Sequence, residues 1–189
     1  MEEQEQQTTH ISGGRGSGGG GSGNISLRPL QLSDVDDFMA WAGDPDVARF
    51  CRFEPYTSCD DALDYIARTV LPHPYFQAIC LDGRPVGQVS VTRNEARMEA
   101  CRGELGYALA SGYWGRGIAT EAVRTAVVEV FGERPGLERV EAVVDVENKA
   151  SQRVLEKAGF TREGVLRRYQ VLKGRTRDVV VFSRLSTGE

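Results

Sequence analysis

The stretch GYWGRGIATEAV, residues 112–123, constrains the fold more than any other. It sets glycines at 112, 115 and 117 with Arg116 between two of them, and then runs at once into apolar positions at helical spacing. Glycine lets backbone approach a ligand with no Cβ in the way. The first turn of the following helix has amide N–H groups without intrahelical partners, at the positive end of the helix dipole. A strand leading through such a turn into a helix therefore offers an anion site, with Arg116 adding charge at the rim. A glycine-rich connection without a ligand is the alternative. Two familiar phosphate loops are excluded. There is no G-x-G-x-x-G, since Ile118 is followed by Ala119 and Thr120, and no G-K-[ST] ending.

The flanks supply the strand and the helix. CRGELGYALA, 101–110, reads as a strand, and 119–131 repeats Ala122, Val123, Ala126, Val127, Val130 and Phe131 at a 3.6 period, closed by Gly132. Upstream, ISLRPL reads as a strand. A helix follows, capped by Ser33 and ended by Gly43, and then a second one, capped by Ser58, with Ala62, Tyr65, Ile66, Thr69 and Val70 on its buried face. YFQAICL and VGQVSVT form a hairpin around DGRP. Downstream come the strand LERVEAVVDV, a helix from Asn148 to Gly159, and two strands around KGRT. The order β, α, α, β, β, β, α, β, α, β, β predicts an α/β chain with a mixed sheet and helices on its faces.

A chain of 189 residues, 40% of them hydrophobic, suits one core. Residues 1–24 are polar and then dominated by Gly and Ser, so they are expected to be a disordered tail, natural or an added linker, before a single domain over 25–189. The net charge of -4 lacks the basic footprint of a nucleic-acid binder and suits a cationic or amine partner. No apolar run approaches the roughly 20 residues of a membrane span. Cys51, Cys59, Cys80 and Cys101 have no C-x-x-C pairing, and the two histidines are His10 and His73, so neither a metal site nor a redox pair is legible. Buried thiols in a reducing, cytoplasmic compartment are expected, with nucleus or organelle left open.

WGRGIA resembles the Q/R-x-x-G-x-G/A pyrophosphate loop of the GNAT superfamily of acetyl-CoA-dependent N-acyltransferases, with Gly117 and Ala119 at matching positions and Trp114 in place of the usual Gln or Arg. The longer string GYWGRGIATEA, between GELGYAL and NKASQRVLEKAGFTREGVLR, is similar to the branch that contains the N-terminal acetyltransferases of ribosomal proteins, where an aromatic residue at that position is ordinary. FCRFEPYTS and VLPHPYFQAICLDGRPVG are similar to plant members. The likeness covers about residues 25–185.

The resemblance implies a mostly antiparallel seven-stranded sheet, splayed between its fourth and fifth strands and flanked by about four helices. It implies acetyl-CoA as co-substrate and no metal. The pantetheine arm would pair with backbone at Tyr107, Ala108 and Leu109, and the pyrophosphate would sit on the amides of Gly115, Arg116, Gly117, Ile118, Ala119 and Thr120. Asn148 and Ser151 would lie beside the thioester, though Asn148 also reads as a plain helix cap. The tyrosine that many relatives place seven residues after the asparagine is Leu155 here, which leaves Ser151 or water to assist the leaving group. A backbone N–H near Tyr107 would hold the oxyanion.

An amine acceptor must lose a proton. The α-amino reference pKa is about 8, so a nearby carboxylate working through water suffices. Period-two counting sets Glu104 on one face with Arg102, Gly106 and Ala108, open enough for that role; an ion pair with Arg102 is the alternative. Glu54 and Tyr56, in the segment where GNAT proteins shape the acceptor pocket, read as substrate contacts or as loop packing. Cys101 reads as a core thiol. Arg167, Arg168, Lys173, Arg175 and Arg177 read as a solvated hairpin, with Tyr169 a candidate border of the acceptor groove.

The expected function is transfer of an acetyl group from acetyl-CoA to a primary amine, a protein N-terminus or lysine above all, by direct attack in a ternary complex of a monomer or homodimer. An acyl-CoA-binding sensor with little turnover, and a polyamine or antibiotic acetyltransferase, are the alternatives.

Overall fold

A computed structural model describes residues 23–93, 96 and 99–186. Most of the expected tail therefore lies outside the described residues. The elements are β1 (Ile25–Pro29), a 3-10 turn (Leu32–Asp34), α1 (Val35–Ala42), α2 (Pro45–Ala48), α3 (Cys59–Tyr65), β2 (Phe76–Leu81), β3 (Arg84–Arg93), β4 (Arg102–Leu109), a 3-10 turn (Ser111–Tyr113), α4 (Ile118–Glu133), β5 (Arg139–Asp145), α5 (Lys149–Lys157), β6 (Thr161–Leu172) and β7 (Arg175–Leu185).

The seven strands form one sheet in the order β1-β2-β3-β4-β5-β7-β6. Every neighbouring pair is antiparallel except β4 and β5, which are parallel. Turn chemistry sets the hairpins. Asp82 and Gly83, and Lys173 and Gly174, both take positive φ, as a two-residue turn matched to strand twist requires. Helices cover both faces. Val123, Val127 and Val130 of α4 pack fully buried with Val89, Val140, Leu155 and Phe182. On the other face Phe38, Trp41 and Ile66 pack with Ala78, Cys80 and Ala108. Each fully buried Val or Ile side chain contributes about 1.5–3 kcal/mol of burial.

Several local readings are corrected. α4 runs through Gly132 to Glu133, because Val130 O accepts the Arg134 N–H and keeps the last turn closed. Asp34, not Ser33, organises the start of α1; its carboxylate takes the Gln31 N–H and both Arg28 guanidinium nitrogens. Asp44 caps an additional short helix, α2, with Pro45 at its first position. α3, capped by Ser58 as expected, continues into a wider π-helical turn over Ile66–Val70, which turns Val70 inward and leaves Thr69 exposed. Only Cys80 is buried among the cysteines; Cys51 is half-buried, and Cys59 and Cys101 are exposed, since they lie at element ends where the side chain faces out. No helix of the described residues is long and apolar enough to cross a membrane.

Candidate active site

The pairing of β4 with β5 stops early. It covers Arg102 with Arg139, Gly103 with Val140 and Glu104 with Glu141, whereas β4 continues to Leu109 and β5 to Asp145. Glu104 is thus the last paired residue, at the vertex of a splay. The Ala110 N–H to Val86 O bond fixes the phase of β4 on β3. Alternation from there turns the backbone groups of Ala108, Gly106 and Glu104 toward β3 and those of Tyr107 and Leu109 toward the gap beyond the last rung to Glu141. Ladder groups in the gap need a partner. Tyr107 and Leu109 present theirs to it, whereas Ala108, contrary to expectation, commits its own to Gln88 of β3.

At the head of the gap, Trp114 donates its indole N–H to the Leu109 carbonyl at 2.7 Å. That bond gives the residue in the usual Gln or Arg position a role, closing the last carbonyl of β4 with half the ring still exposed. The chain then turns through Gly115 at φ 74° and Gly117 at φ 80°, the latter the N-cap of α4. Both angles lie where L side chains are strained, and a Cβ at either glycine would meet nothing within 4 Å. The loop is therefore an open cradle. Gly117 has no side chain to cap the helix, and the first intrahelical bond is from Glu121 N–H to Gly117 O, so the amides of residues 118–120 are left for a ligand. Arg116 lies over the Tyr113 ring, 5.4 Å from its centroid, at the rim. The open ladder, the positive-φ glycines and the uncapped 16-residue helix fit an elongated ligand that carries amides at one end and phosphates at the other.

Across the gap, α5 starts at Asn148, whose Oδ1 accepts the Ser151 N–H at 3.1 Å. The cap uses the oxygen and leaves the Nδ2 donors. Sequence reasoning missed what holds Ser151 itself. The Tyr107 hydroxyl lies 2.7 Å from Ser151 Oγ and donates to Ser151 O at 3.1 Å. The two residues are 44 apart in sequence, and no local signal links them. Leu155 is fully buried in the core, so its position offers no proton donor.

On the opposite face of β4, Glu104 lines an open pocket of about 400 Å³ with Arg52, Ser90, Thr92 and Gly106. Its carboxylate pairs with Arg52, not with Arg102, which is engaged by Glu99 and Glu141. The Arg52 pair is exposed and worth at most about 1 kcal/mol, so another cation can replace it. Glu54 does not reach the pocket by itself. It binds Lys173 Nζ at 2.8 Å, and that lysine also donates to Phe53 O, tying the loop after α2 to the β6–β7 turn. Tyr56 packs among Phe38, Phe53 and Tyr65 at centroid distances of 5.8 to 6.1 Å, and burial holds its phenol above the ordinary value. Arg177 meets Glu147 and the buried Asp145, and Tyr169 is exposed on a bulge of β6.

Comparison with known proteins supports the fold. Residues 24–161 match the family described as Acetyltransferase (GNAT) domain. The chain is 42% identical over 163 residues to an uncharacterized N-acetyltransferase, YoaA, of Bacillus subtilis (strain 168), covering 84% of this chain and 92% of the relative. A solved putative acetyltransferase from T. thermophilus is 35% identical and superposes with a TM-score of 0.70, covering 86% of each chain. Mycobacterium smegmatis RimJ, solved in complex with CoA-disulfide, is 26% identical with a TM-score of 0.70, over 87% of this chain and 83% of that one.

Proposed function

The chain belongs to the GNAT acetyltransferase family and is an N-acetyltransferase, and on that premise we propose that it moves the acetyl group of acetyl-CoA to a primary amine presented by a protein, an N-terminal α-amino group above all. The observation that carries the reading is the juxtaposition at the vertex: one strand turns unpaired backbone into the gap and a carboxylate into an open pocket on its other face.

Acetyl-CoA, when bound, supplies an acetyl group activated as a thioester. Residues 115–120 and the splayed edge of β4 would hold it, through the amides and ladder groups described above. Glu104 accepts, through water, the proton that the acceptor ammonium must lose, a modest demand for a group with a reference pKa of about 8. A backbone N–H of β4 near Tyr107 would donate to the oxyanion, and Ser151 would steady the departing sulfur. The pocket beside Glu104 is open to solvent, which suits the end of a chain better than an enclosed small molecule.

A mass-spectrometric transfer screen tests the reading, with acetyl-CoA and three acceptor sets: peptides with a free N-terminus, lysine-bearing peptides with a blocked N-terminus, and polyamines. The expected result is transfer to the first set, reduced about 100-fold in kcat by Glu104→Gln. Tight coenzyme A binding with no transfer to any amine would leave the sensor reading in its place.

A further inference from the structure

Besides its backbone, Tyr107 brings a side chain to the splay. We propose that Tyr107 is a positioning residue for acetyl transfer: its phenolic hydroxyl reaches from β4 to α5 and fixes the Ser151 hydroxyl as a hydrogen-bond donor to the departing sulfur. The inference rests on the acetyl-CoA reading above.

The geometry is specific. β4 and β5 are unpaired beyond Glu104, so the two walls of the gap are held apart by the sheet itself, and the Tyr107 phenol bridges them onto the first turn of α5. Ser151 is held at one further point, its N–H donating to Asn148 Oδ1. A serine hydroxyl on a helix is otherwise free to turn toward its own backbone. Here the phenol has two acceptors, Ser151 O at 3.1 Å and Ser151 Oγ at 2.7 Å. When it donates to Oγ, the serine proton is turned away from the phenol and into the gap.

The chemistry decides between holding a proton and giving one. In the transfer, the amine nitrogen forms a bond to the acetyl carbon, the carbon–sulfur bond breaks, and sulfur leaves with the electron pair. A thiol has a reference pKa of about 8.5 and a phenol about 10. Burial pushes the Tyr107 phenol up further, against a smaller opposite effect of its bond to Ser151. Proton transfer from either hydroxyl to the thiolate is therefore uphill. The pair acts by donating hydrogen bonds, the sulfur takes its proton from water, and the amine proton leaves through Glu104. With Leu155 buried where a tyrosine could otherwise stand, β4 supplies from across the gap the phenol that α5 lacks.

The test reads the thiol of bound coenzyme A directly, by the ultraviolet absorbance of its thiolate during a pH titration of the full chain. A donor to the thiolate lowers that pKa. Tyr107→Phe, which keeps the ring, and Ser151→Ala are each expected to raise it by about 0.5–1 unit, a three- to tenfold shift, with the double variant no worse than Ser151→Ala alone. Ser151→Thr, which keeps a hydroxyl, is expected to retain the wild-type value. In steady-state transfer, Tyr107→Phe should lower kcat about tenfold, leave KM for acetyl-CoA within about twofold, and leave the pH profile of kcat unmoved. A thiol pKa unchanged in Tyr107→Phe, losses that multiply in the double variant, or a pH limb that disappears with the phenol would each overturn the proposal. Failure of the wild type to bind coenzyme A would instead overturn the reading on which it rests.

Discussion

The lower and upper halves of the β4–β5 seam are made from the same two strands and behave oppositely. Below Glu104 the strands pair, and the seam is laced by charge: Arg102 joins Glu99 and Glu141, while Arg139 joins Glu141 and, through two bonds of 2.6 and 2.7 Å, Glu163 of β6. Above Glu104 the strands part, and neutral groups take over: the Trp114 indole on the Leu109 carbonyl and the Tyr107 phenol on Ser151. The lower half satisfies its polar groups internally. The upper half keeps backbone donors free, and a site that must bind something needs that.

Substitutions in the two halves should therefore separate stability from activity. The largest effect is expected at the glycine cradle. Gly117→Val forces a β-branched residue to the positive φ of the α4 N-cap and fills the open space above it, so KM for acetyl-CoA should rise on the order of 100-fold while thermal unfolding moves little. Next comes the closed half. Arg139→Ala leaves the largely buried Glu141, and the exposed Glu163, short of their partner and should lower stability by about 2 kcal/mol in denaturant titration, with kcat unchanged.

A smaller effect is expected at Trp114. Trp114→Phe frees the Leu109 carbonyl at a cost of about 1 kcal/mol, read as a rise of about fivefold in KM for acetyl-CoA. The chain has two tryptophans and Trp41 is fully buried, so coenzyme A should change the fluorescence of the wild type and not of this variant. The smallest is Glu163→Gln. Arg139 first, and the Ser183 hydroxyl second, hold the Glu163 carboxyl down at about 2 from an ordinary 4.5. A depressed carboxyl stabilises the fold above its unfolded value, and that contribution is lost as pH falls from 4.5 through about 2. Glu163 is 40% exposed, so solvent screening reduces its worth to about 1 kcal/mol or less, and Glu163→Gln should flatten stability over that window.

Periodicity and turn chemistry make the seven strands, α4 and α5 legible, because those signals are local: Asn148 and Ser58 cap within three residues, and Asp82–Gly83 and Lys173–Gly174 turn within two. What escapes is set by contacts across the fold. Glycine at 132 reads as a stop, yet the helix continues because packing of Val127 and Val130 outweighs its low propensity. Alternation separates Glu104 from the gap-facing residues of β4, but its partner Arg52 lies 52 residues away and the nearer Arg102 is claimed by carboxylates from two other segments. The anion loop is legible as glycines before a helix. The role of Trp114 is not, since only the end of β4 reveals which carbonyl needs a donor.

The central claim is that the open half of the seam receives coenzyme A, and amide hydrogen exchange followed by NMR tests it most directly. Without ligand, the amides of Tyr107 and Leu109 should exchange quickly and those of Gly103 and Val140 slowly. Adding coenzyme A should protect Tyr107, Leu109 and residues 117–120 and leave Gly103 and Val140 as they were. Protection that appears elsewhere while Tyr107 and Leu109 keep exchanging at their free rates would contradict the account.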